Sequence, residues 1–151
     1  MTSMETDLLA DLIGRKRDCL VQLRDMGLRQ FELVQEGSMT ELLEVLAVKQ
    51  RVLFALQKVE RSLEPFRGQS PESRHWRSPE ARVQTARRLD ECEALLGEIL
   101  KREKQSEQEL IRRRDETAAQ LQGVHAAGRA RGAYLSPFDS APAQLDLSSE
   151  T

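Results

Sequence analysis

The sequence predicts an all-α fold: an antiparallel three-helix, coiled-coil-like bundle with a long, overhanging third helix and a flexible C-terminal tail. Three observations predict it. The 151 residues are rich in Leu, Glu, Arg, Gln and Ala, with 32% charged and only 4% aromatic residues, the composition of long amphipathic helices. The five prolines stand at positions 65, 71, 79, 137 and 142, which leaves two long stretches free of helix breakers. Apolar residues recur at three- and four-residue steps through both stretches, and the alternation and closely spaced turns of a sheet are missing.

The first helix is predicted over residues 5–36. Leu9, Leu12, Lys16, Cys19, Leu23, Met26, Gln30 and Leu33 hold the inner positions of a heptad, and Ile13, Leu20 and Val34 widen the stripe enough for more than one neighbour. Gly37 fits the left-handed end of that helix. Ser38 with Glu41 reads as a capping box opening the second, over 39–63, so the two helices run antiparallel. Leu42, Val45, Leu46, Val52, Leu53, Leu56, Val59 and Leu63 form the second helix's expected buried face, interrupted by Lys49 and Gln50. Residues 65–78 read as a loop, with Trp76, the only Trp, either a lid on the bundle end or an exposed contact residue. Ser78-Pro79-Glu80 starts the third helix with a capping Ser, a first-turn Pro and an acid. That helix is expected over 79–126, with Val83, Ala86, Leu89, Cys92, Leu96, Ile99 and Leu100 inward. The bundle thus occupies 1–127, and the Ala-, Ser-, Pro- and Gly-rich residues 128–151 form a flexible tail.

At 1.5 Å per residue the third helix outruns the others by roughly 20 Å, beginning near Leu110. Its far part is dense in charge of both signs, yet Leu110, Ile111, Ala118, Leu121 and Val124 trace a narrow apolar strip. Such a strip suits a partner helix, the tail, or a second copy of the chain.

Reactive chemistry is not written in this sequence. His75 and His125 have no ligand spacing between them, and no phosphate loop, nucleophile elbow or metalloprotease pair occurs. Cys19 and Cys92 fall on inward stripes, where a thiol is a small core residue, and their separation gives no redox pair. No catalytic activity, cofactor or metal is expected. No run of about 18 apolar residues suggests membrane insertion. The net charge of −2 does not suit general nucleic-acid binding, although residues 67–88 carry six arginines around Trp76 and His75. That patch is either a solvated loop or a contact for RNA or DNA.

Residues 30–46, Gln-Phe-Glu-Leu-Val-Gln-Glu-Gly-Ser-Met-Thr-Glu-Leu-Leu-Glu-Val-Leu, followed by Lys49-Gln50, Leu53 and Leu56, resemble bacterial flagellar export chaperones of the FlgN type. The Gly-polar turn, the leucine-rich opening of the next helix and its Lys-Gln pair carry most of the likeness. Residues 105–111 (Gln-Ser-Glu-Gln-Glu-Leu-Ile) and Ala133-Tyr134 stand where that family has its late-helix and C-terminal motifs. The chain departs from the family in having no Asn, and in its Arg-rich loop and its last residues.

The resemblance implies a cytoplasmic chaperone without ATPase activity. It would bind the C-terminal helices of hook–filament junction proteins and deliver them to the export gate of the flagellar type III apparatus. Leu110, Ile111, Ala118, Leu121 and Val124 would then form the client-binding surface. Tyr134, with Leu135 and Phe138 beside it, would dock on the export gate. The expected partners are these proteins alone, with no nucleic acid, and the chain itself a monomer or weak dimer. A FliT-type chaperone of the filament cap protein and a self-associating structural coiled coil are the alternatives.

Overall fold

Three α-helices account for the secondary structure of a computed structural model that describes residues 2–70 and 73–135. Helix α1 spans Ser3–Glu36, α2 spans Met39–Arg67 and α3 spans Pro79–Leu135. The chain divides into two compact units, Met1–Glu109 and Leu110–Thr151.

The first unit is an up-down-up bundle. Near one end, Leu9, Leu12 and Ile13 of α1 pack on Val59, Leu63 and Phe66 of α2, with Trp76 laid against them. At the other end, Leu33 and Val34 meet Leu42 and Val45. The early part of α1 therefore faces the late part of α2, and the pair is antiparallel. In the middle, Leu20 and Leu23 pack on Cys92 and Leu95 of α3, with Val52, Leu53, Leu56 and Ile99 around them. Helix α3 starts beside the start of α1: Arg77 pairs with Asp7, Arg17 with Glu91 at 2.6 Å, and the Arg102 guanidinium lies 5.6 Å from the centre of the Phe31 ring. Helix α1 buries ten residues against four on each of the others, so it is the spine that both neighbours share.

Two polar layers cross the apolar core. Lys16, at an inner heptad position, reaches Glu60 of α2 at 2.9 Å. Gln30, at another, accepts from the Lys49 ammonium at 2.9 Å, and Lys49 also pairs with Glu103 of α3. Burial pushes Lys49 below the ordinary lysine range. Burial also acts to raise Glu60, but Lys16 and Arg67 outweigh it and hold its carboxyl below the usual value.

The helix ends depart from the sequence expectation in physical detail. A capping box does start a helix, but it is Thr2 with Glu5 at the head of α1. Ser38 makes no side-chain cap; Gly37 at φ 75° turns the chain, with Ser38 N–H on the Leu33 carbonyl, and Glu41 is drawn to Arg29 instead. The second helix does not stop at residue 63. It runs through Pro65 to Arg67, because Phe66 is buried in the end cluster and that packing holds the last turn despite the lost backbone donor. Ser78 caps α3 as expected, accepting from Ala81 N–H at 3.1 Å. Helix α3 continues past residue 126 to Leu135, so residues 128–135, expected in the tail, are helical. Ala-rich composition carries the turns there, and Gly128 and Gly132 cost only about 1 kcal/mol each relative to Ala. The remaining tail, Phe138 included, lies outside the described residues.

The inward face of α3 also differs from expectation. Thr85, Cys92, Leu95 and Ser106 are buried and Ile99 half-buried, whereas Val83, Leu89, Leu96 and Leu100 are exposed. On α2, Leu46 is exposed as well. Each outer helix packs chiefly on α1, so only one of two adjacent apolar rows is covered.

Candidate functional site

The second unit carries the strip singled out from sequence. Leu110, Ile111, Ala118, Leu121 and Val124 are all exposed, Leu121 at 55% and Val124 at 67%. At about 100° per residue they lie within a band less than half the helix circumference, and Leu135, eleven residues beyond Val124, returns to the same band. The helix supporting the band is basic. Residues 110–135 hold five arginines against Asp115 and Glu116. Arg112 pairs with Glu116 one turn on, and Arg114 with Asp115 at 3.3 Å. An exposed apolar band on a basic helix has the chemistry to accept an amphipathic helix with acidic flanks.

Tyr134 is 81% exposed but does not share the band. Adjacent helical residues point about 100° apart, so Tyr134 and Leu135 present themselves to different directions and cannot act as one flat docking patch while this turn is helical.

Two further apolar rows lie exposed on the first unit, made largely of residues that the sequence pattern placed in the core. Leu43, Leu46 and Phe54 stand exposed on α2, and Leu89, Leu96 and Leu100 on α3. Each trio falls in a narrow helical band bordering a buried row. Hydrophobicity alone marked most of these positions; what it could not mark was which row a neighbour covers.

Other candidate groups have structural employment. Burial, with a smaller contribution from Asp18, raises the Cys19 thiol, and burial also raises Cys92, which keeps both protonated at neutral pH. Of the Arg-rich stretch, Arg67 pairs with Glu60 and Glu64, Arg74 donates to the Phe66 carbonyl and Arg77 pairs with Asp7. Trp76 packs on the end cluster, as a lid. Among the described residues no cluster of His, Cys, Asp or Glu could hold a metal ion, and no helix is long and apolar enough to cross a membrane.

No family model, curated protein or solved structure matches this chain.

Proposed function

We propose that this chain is a cytoplasmic flagellar type III export chaperone of the FlgN type, which holds the C-terminal helices of hook–filament junction proteins and hands them to the export gate. The observation that carries the proposal is the exposed apolar band on the basic late part of α3. Residues 30–46 with Lys49-Gln50, on which the resemblance rests, supply a second support. A client helix lays its apolar side on Leu110, Ile111, Ala118, Leu121 and Val124, and acidic side chains on its flanks meet the arginines. Burial of so narrow a band gives moderate affinity, which suits a cargo that must be released. Tyr134, pointing away from the band, remains free to engage the gate while the client is held.

The test is calorimetric titration of the full chain with C-terminal segments of hook–filament junction proteins, and in parallel with the corresponding segment of the filament cap protein. Saturable binding of the first and not the second is expected. Preference for the cap segment would move the chain to the FliT type. Failure of both, with a dimer mass in solution that Leu110→Asp converts to monomer, would make it a self-associating coiled coil. Tyr134→Ala is expected to leave client affinity unchanged and to weaken capture by the export-gate cytoplasmic domain.

A further inference from the structure

The bundle end closed by Trp76 is a built cavity. Residues 73–78 are fastened on both sides of the indole: the His75 carbonyl accepts from the Thr6 hydroxyl at 2.7 Å, and Arg77 pairs with Asp7. Arg74 is fixed in turn, its Nη2 donating to the Phe66 carbonyl at 2.9 Å. Between this strap and the helices lies a cavity of about 170 Å³. Leu9, Ile13, Trp76 and Leu89 give it apolar walls, and Arg74 and Arg82 give it charge. No carboxylate lines it among the described residues. The Arg74 Nε is buried with no hydrogen-bond partner, and no ion pair engages Arg82 among the described residues. Two guanidinium groups lining one small apolar-walled cavity without a carboxylate between them favour an anionic ligand.

We propose that this cavity binds a small carboxylate with a benzene-sized apolar body, an arylacetate being the type. A space of about 150 Å³ is large enough for a benzene ring, and this cavity, about 170 Å³ and partly open to solvent, leaves room for a ring between Trp76 and the aliphatic walls. The carboxylate then pairs with the Arg74 and Arg82 guanidinium groups that line the cavity, through charge-assisted hydrogen bonds. The same chemistry is carried by free arylcarboxylates and by the C-terminus of a polypeptide ending in Phe. The site is separate from the apolar band of the second unit and does not depend on the chaperone reading.

Trp76 is the only Trp, so its fluorescence reports the site directly in the full chain. Titration with phenylacetate is expected to give a saturable change. Phenylacetamide, of the same shape without charge, is expected to bind about tenfold more weakly, and phenylacetate to lose about tenfold in Arg74→Gln and in Arg82→Gln. Arg82 is exposed on α3, so its variant keeps the test decisive if Arg74→Gln loosens the end of α2. A Gly-Gly-Phe peptide with a free carboxylate, compared with its amide, separates the sources: tighter binding than phenylacetate assigns the site to chain termini, weaker binding to small molecules. No saturable change with either carboxylate, equal affinity for the amide forms, or full affinity in Arg82→Gln would overturn the proposal.

Discussion

Leu121→Asp should cut client binding while leaving the bundle intact, and the magnitude follows from exposure. Burying a whole Leu side chain contributes about 1.5–3 kcal/mol. With 55% of Leu121 still exposed in the free chain, a client helix can gain about 0.8–1.7 kcal/mol by covering it. Aspartate forfeits that gain and adds the cost of desolvating a carboxylate, so affinity should fall about tenfold or more. Free-state stability should change by no more than about 0.5 kcal/mol, the usual range for surface substitutions. Leu20→Ala is the matched control. Leu20 is 1% exposed at the centre of the middle cluster, and truncation should cost about 2–5 kcal/mol through the cavity it leaves. That is a fall of about 8–20 °C in melting temperature at about 4 °C per kcal/mol. Circular-dichroism melts and calorimetric titration with the client segment measure both quantities on both variants. A melting-temperature loss for Leu121→Asp comparable to that of Leu20→Ala would refute the reasoning, since the side chain would then be covered in the free chain. Unchanged client affinity would refute it from the other side.

Gly37→Ala should destabilise by about 1–2 kcal/mol, because a side chain is strained at the left-handed φ of 75°; chemical denaturation reads this as a lower midpoint at unchanged slope. Glu60→Gln should lower stability at neutral pH and lose its effect in acid. The folded carboxyl lies below its unfolded value of 4.5, so its contribution is complete above that pH and vanishes as pH falls through the folded value. Melting temperatures of wild type and variant should therefore converge below pH 4.5, and a constant gap would contradict the assignment. Thr6→Val keeps the volume but removes the hydroxyl from the His75 carbonyl; about 1 kcal/mol should be lost and Trp76 emission should shift to the red as the strap loosens.

The helices were legible because their signals are local. Heptad spacing in α1, Gly37 at its end and Ser78-Pro79 at the head of α3 each act within a turn or two of chain. The boundaries that sequence misjudged depend on distant contacts. Pro65 argues for a loop until Phe66 is seen packed on α1, and Ser38 with Glu41 reads as a capping box until Arg29, twelve residues away, takes the carboxylate. Lys16 and Gln30 are polar residues at inner heptad positions of the first helix. They meet Glu60 and Lys49 at matching heights, and such paired polar residues at inner heptad positions fix the register between helices at some expense of stability.

The surfaces were harder to read for one reason: a helix presents more apolar rows than its neighbours can cover, and periodicity does not say which row wins. On α3 the rows through Cys92 and through Leu96 differ by about 40° around the axis, well within the scatter of any stripe drawn from sequence. Packing decides between them by steric fit. Cys92 and Ser106 are small enough to let the helices approach, and both are almost wholly buried, while Leu96 and Leu100 are left outside. Beyond residue 109 the same ambiguity disappears, since every residue from 114 to 135 is exposed. The strip there can be read from sequence because, among the described residues, it stays exposed. Candidate docking residues are therefore most legible where the chain packs least, and least legible on the flanks of its core.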